Sequence, residues 1–160
     1  MIFWGCSSPI TSHSWSMCAR CRGPATTRSS TADTLPARRA AVAIEHAHAP
    51  GPGDFRHTTP ESPNTGWCNL SFCGHADCMR GAEFAENFRR LIVLTHQDRV
   101  ALMCAEAVPW RCHRSMIADA LVGRGIVTCE IVSVNRQQAH RLTPFARVSG
   151  DEITSPPAEP

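Results

Sequence analysis

The sequence predicts an α/β domain built on a parallel sheet. Three observations carry this. Val100 to Cys104 is a short apolar run behind the charged pair Asp98-Arg99, the pattern of a strand buried on both faces of a parallel sheet. Met116, Ile117, Ala120 and Leu121 recur at helical spacing immediately afterwards. Ile126 to Val134 then supplies the next strand, so strand, helix and strand follow as in a right-handed crossover.

The elements follow in chain order. Residues 1–31 are rich in Ser, Thr, Arg and Cys and read as loop or disorder, and Met17 to Ser30 holds no apolar run long enough for a buried strand. Asp33 or Thr34 caps a short helix through Val42, with Pro36 tolerated in its first turn. Ala41 to His46 passes into a short strand. His48 to His75, with Pro50, Gly51, Pro52, Gly53, Pro60 and Pro63, reads as a long loop. Ala82 to Thr95 is the clearest helix, placing Phe84, Phe88, Leu91, Ile92 and Thr95 on one face. The helix at about residues 114–123 ends at Gly123 and Gly125, both plausible stop signals. Gly150 onward, closing Pro156-Pro157-Ala158-Glu159-Pro160, reads as a tail. The chain therefore divides into a divergent segment 1–31, a single α/β domain over 32–148 and a Pro-rich tail over 149–160.

Composition sets bounds. A chain of 160 residues with 42% hydrophobic content is one domain by prior and buries a core. A net charge of +2 is too weak to argue for nucleic acid. All 16 basic residues are Arg, which points to a GC-rich coding sequence, and Tyr is absent. Nine cysteines do not make a small secreted scaffold, since the chain is large and the count odd. No stretch approaches ~18 apolar residues, so no membrane span is expected. Met1-Ile2-Phe3-Trp4 has neither a charged n-region nor a long h-region, and a cytoplasmic protein with reduced thiols is expected.

The chemistry concentrates at the junction between residue 104 and residue 115. Cys104, Glu106, Arg111, Cys112, His113, Arg114 and Ser115 crowd one strand-to-helix turn, where α/β proteins place ligands. Open backbone N–H groups and the helix dipole favour an anion there. A thiol at Cys112, beside His113 and Arg114, gains thiolate character. Glu106 is placed to orient His113 or act as a base. Cys104 reads first as a small core residue and second as a resolving partner for Cys112.

Other constellations are weaker. Cys18-x2-Cys21 has zinc-ligand spacing, and Cys68, Cys73, His75 and Cys78 could add ligands. Only one tight pair exists, however, so no metal site is expected. His46, His48, Arg56, His57 and Trp67 lie on the long loop and would cover the Cys112 turn only if that loop is a lid. No GxxxxGK[ST], GxGxxG or HExxH motif is present, and no cofactor is indicated.

Met103-Cys104-Ala105-Glu106 and Cys112-His113-Arg114-Ser115, with the helix that follows, resemble the signature of the domain of unknown function 488 (DUF 488) family. Pro60 to Trp67, then Ser71-Phe72, Gly74, Ala76-Asp77 and Met79 to Phe84, and His140 to Ala146 resemble further parts of it, covering about residues 32–148, whereas Cys68, Cys73, His75 and Cys78 stand where the family more often has Arg and aromatic residues. The resemblance implies a three-layer α/β domain, with a mainly parallel sheet and helices on both faces. The Gly-His-Ser-like turn and Asp-x-Arg element with which the family opens have no counterpart in residues 1–31. Its N-terminal strands are thus expected to be missing or aberrant, from divergence or a shifted reading frame. The resemblance supplies no activity.

Three functions follow from these residues. The first is a small enzyme-like anion site. In it Cys112 is a nucleophile or redox thiol, His113, Arg111, Arg114 and Ser115 hold an anionic group, Glu106 carries a proton and Cys104 resolves. The second is a binding module that holds a phosphate, a nucleotide or nucleic acid without chemistry. The third is a degenerate, inactive relative. The expected partner is a small anionic ligand, with nucleic acid weakly supported. Oligomeric state is not legible.

Overall fold

The computed structural model describes residues 2–3, 12–16, 46–48, 58–103, 112–133 and 135–157. Eight short strands and three helices are present among them: β1 Ile2–Phe3, β2 Ser12–Ser16, β3 His46–His48, α1 Leu70–Cys78, α2 Ala82–Gln97, β4 Arg99–Leu102, α3 Arg114–Gly123, β5 Cys129–Ser133, β6 Arg136–Ala139, β7 Arg147–Ser149 and β8 Glu152–Thr154. The helix expected within residues 33–42 lies outside the described residues, as do Cys18 and Cys21.

The expectation of a three-layer, mainly parallel sheet is overturned. The larger sheet has the order β3-β2-β4-β1-β5-β6. Only β2 pairs in parallel, with β3 and with β4. β1 pairs antiparallel with both β4 and β5, β5 pairs antiparallel with β6, and β7 and β8 form a separate antiparallel pair. The physical reasons are specific. β4 and β5 do run in the same direction, as a strand-helix-strand unit requires, but β1 fills the gap between them in the opposite sense. β5 ends at Ser133 and β6 begins at Arg136, and a connection that short can only join antiparallel strands. The strands of residues 2–3 and 12–16 come from the segment whose composition argued against any strand.

The core explains why the central elements form where the periodicity places them. On α2, Phe84, Phe88, Leu91 and Thr95 are buried and Ile92 half-buried, the predicted stripe. They pack with Val100 and Leu102 of β4 and with Ile117, Ala118, Ala120 and Leu121 of α3. β4 alternates between buried and half-buried positions and so commits one face to this core, rather than both. Phe84 and Phe88 stack with ring centroids 5.5 Å apart. α3 ends at Gly123, and Gly125 follows with φ +73, a left-handed position that glycine takes without strain.

α1 replaces part of the expected loop. Asn69 caps it, its side chain accepting from the Ser71 N–H at 2.9 Å. Phe72, Cys73, Gly74, His75 and Ala76 are all buried, and Phe72 and Ala76 pack on Met116 of α3. Asp77, near the end of α1, gathers the preceding loop. Its carboxylate accepts from Ser62 Oγ at 2.6 Å, Asn64 Nδ2 at 2.8 Å and the Thr59 N–H at 3.1 Å. Asn64 is fully buried and passes the connection on, its Oδ1 accepting from the Ser155 N–H at 2.8 Å. Gly66 N–H donates to Ser155 O, and a Cβ on Gly66 would lie 2.3 Å from Pro156 O, so only glycine permits this approach.

Burial alone would raise the Asp77 pKa, but the hydrogen bonds from Ser62, Asn64 and Thr59 outweigh it and hold the carboxyl below its ordinary value. A lowered carboxyl stabilises the fold above its unfolded-state pKa, and the contribution is lost as pH falls through the folded one. Asp77→Ala is expected to cost about 1.5–3 kcal/mol in urea unfolding at neutral pH, the range for hydrogen bonds to a charged acceptor. Asp77→Asn is expected to lack the acid-side loss of stability seen in the parent chain.

Candidate functional site

The turn that starts α3 is built by Cys112. Ser115 N–H donates to Cys112 O at 3.0 Å, Ser115 Oγ donates to the same carbonyl at 2.9 Å, and Met116 N–H donates to His113 O at 3.1 Å. Arg114 N–H is directed at Cys112 Sγ at 3.4 Å. The thiol sulfur thus takes the place of a capping oxygen, and the backbone donors of residues 114–116 are answered from within the turn. Sequence reasoning had left those donors open.

The guanidinium completes the arrangement. Arg114 Nε lies 3.1 Å from Cys112 Sγ, and the two residues are 4% and 2% exposed. A fixed cation and a backbone N–H therefore converge on one buried sulfur. That geometry matches what a thiolate needs, because charge-assisted donors favour the ionised form. Of the residues that the sequence assembled at this site, Cys112, His113, Arg114 and Ser115 share the turn. Cys104, Glu106 and Arg111 lie outside the described residues.

His113 turns to α1. Its ring lies 4.6 Å from Phe72 and 4.6 Å from His75, centroid to centroid, and its Nε2 lies 3.2 Å from Ser71 Oγ. Phe72 and His75 are one helical turn apart on α1, so a single face of that helix fixes the imidazole plane while Ser71 addresses its edge. His113 and Ser71 are both half-buried. Ser71, Phe72 and His75 are the positions sequence reasoning missed. The available signal for Ser71 and Phe72 was their resemblance to the family, which assigns them no role, whereas His75 stands among the departures from it and has no such signal.

The neighbouring cysteine is chemically different. Cys73 is buried on α1 with Sγ 3.2 Å from Trp67 O. Burial first, and the charge of Asp77 second, push its thiol pKa up. It is therefore held as an inert core thiol. Among the described residues no group of three or more His, Cys, Asp or Glu is arranged to hold a metal ion. No helix among them is long and apolar enough to cross a membrane.

Ser71→Ala is expected to destabilise the chain by about 1 kcal/mol, the net value of one partly buried hydrogen bond. Leu70→Ala, at a position 74% exposed, should stay within ~0.5 kcal/mol of the parent. Paired urea titrations compare the two. Equal costs would mean that Ser71 contributes nothing through His113.

Comparison with known proteins gives one finding. Residues 23–121 match the family described as domain of unknown function DUF488. No curated protein and no solved structure matches the chain.

Proposed function

The chain belongs to the DUF488 family, and we propose that the Cys112 turn is an enzyme-like anion site whose reactive group is the Cys112 thiolate. The observation that carries this reading is the convergence of Arg114 Nε and Arg114 N–H on Cys112 Sγ, at 3.1 and 3.4 Å, at the start of a helix. Arg114 offsets the negative charge on sulfur. His113, its ring held by Phe72 and His75 and its edge by Ser71, helps hold the anionic group. Glu106 orients or relays, and where a peroxide oxidises Cys112 to a sulfenic acid, the Cys104 thiol attacks that sulfur, a disulfide forms and water leaves. Arg111 and Ser115 extend the anion contacts. A ligand with an anionic oxygen would have to take over the Arg114 donors that now meet Cys112 Sγ, and a phosphate-holding module of that kind, without chemistry, is the other outcome of the tests below. A degenerate, inactive relative is the third.

Alkylation by iodoacetamide against pH, mapped by peptide, tests the thiolate. The pH midpoint decides rather than the absolute rate, because burial slows every reagent. Cys112 is expected to react with a midpoint below the ordinary thiol value of about 8.5 and below that of Cys129. The shift should vanish in Arg114→Ala. An ordinary midpoint at Cys112, or one no lower than at Cys129, removes the nucleophile role.

Thermal unfolding with millimolar phosphate or sulfate separates chemistry from binding. Cys112→Ser should keep any anion-induced stabilisation, whereas Arg114→Ala should lose about 1–3 kcal/mol of anion binding. Stabilisation by anions with an unperturbed Cys112 would favour the binding module. Neither effect would favour the degenerate relative.

A further inference from the structure

A second buried charged cluster lies away from the Cys112 turn, on the far part of α3. His140, just beyond β6, has its Nε2 2.8 Å from Asp119 Oδ1 of α3 and its Nδ1 2.9 Å from Glu130 Oε1 of β5. The three side chains are 4%, 2% and 11% exposed. The groups that face them are neutral: Gln138 Nε2 of β6 donates to Glu130 Oε2 at 2.8 Å, and Thr143 N–H donates to Asp119 Oδ1 at 2.9 Å. Ionised carboxylates only accept, so a neutral imidazole would meet one of them with a lone pair, whereas an imidazolium donates to both. The geometry therefore fits a charged ring between two carboxylates.

The position of His140 gives that charge leverage. Beyond it the chain runs as a strap. Thr143 bonds Asp119, and the β7–β8 hairpin rests on the end of α3, where a Cβ on Gly123 would lie 3.2 Å from Val148. Ser155 then binds Asn64 and Gly66, and through Asn64 it reaches Asp77 on α1. The strap thus joins the two helices that flank the Cys112 turn, α3 at its beginning and α1 at its end.

We propose that residues 140–157 form a proton-operated strap, latched while His140 is an imidazolium between Asp119 and Glu130 and released when that proton is lost. Burial lowers the His140 pKa, but the hydrogen bonds and charges of Asp119 and Glu130 outweigh it, and the net shift is upward. A raised histidine contributes fully below its unfolded-state pKa, and its contribution disappears as pH rises through the folded one. In that window the released form holds one proton fewer, so the opening constant of the strap grows tenfold per pH unit. The latch therefore fails on the alkaline side, opposite in sign to the Asp77 connection, which fails in acid.

The test uses the full chain. NMR of the imidazole Cε1–H gives the His140 midpoint. Hydrogen exchange of peptides within 140–157, corrected for intrinsic exchange, gives strap opening between pH 6 and 9. The His140 midpoint is expected above the ordinary histidine value, with opening that rises tenfold per pH unit up to it. In His140→Gln the strap should exchange fast with no residual pH dependence. Glu130→Gln, which keeps the shape and removes one charge, should lower the midpoint. It carries the decision if His140→Gln does not fold. A His140 midpoint at or below the ordinary value would overturn the proposal. So would strap exchange that ignores pH, or exchange that responds equally in His140→Gln.

Discussion

The constraint on which the rest depends is the complete burial of α3 from Arg114 to Leu121. Eight consecutive helical residues cover more than two turns, so no side of this stretch faces water. Any charged side chain within it must find its partner inside the protein, because an uncompensated buried charge costs several kcal/mol. Arg114 lies on Cys112, and Asp119 lies on His140 and Thr143 N–H. Among the described residues, the contacts of Arg114 at the start of this helix and of Asp119 in its middle answer the same burial. The surrounding elements supply what that burial requires: β4 and α2 the apolar cover, α1 the wall near His113, and the segment after β6 the counter-charge for Asp119.

Much of the central fold was legible because it rests on periodicity. β4, α2 and α3 follow from one short apolar run and two helical stripes, and the end of α3 from two glycines. Strand direction was not legible in the same way. Alternation and apolar runs report which faces are buried and carry little information about which neighbour a strand meets. β1, two residues from a Ser- and Cys-rich segment, has no pattern that could announce its insertion between β4 and β5. α1 escaped for a different reason. With Phe72, Cys73, Gly74, His75 and Ala76 all buried, it has no polar face to contrast with an apolar one, and Gly74 lowers its propensity.

The site divides along the same line. That Cys112, His113, Arg114 and Ser115 share one turn was legible because they are consecutive and stand directly before the helical stripe of Met116, Ile117, Ala120 and Leu121. Their partners Ser71, Phe72 and His75 come from a helix some forty residues earlier, and the ion pair of His140 spans 21 residues to Asp119 and 10 to Glu130. Such pairings are set by tertiary packing, which no local pattern encodes. The sulfur cap on α3 is an intermediate case. The sequence placed a thiol at a helix start, while the structure adds that the thiol itself consumes the helix's first donor.

The bond between Ser155 and Asn64 also has a temporal meaning. Its two ends are 91 residues apart. During synthesis at ~5–20 residues per second, Asn64 is made roughly 5–18 s before its partner. For that interval water answers the Asn64 amide oxygen, and the loop is held to α1 by its bonds to Asp77. The loop and the strap can therefore close on each other only after Ser155 has been synthesised.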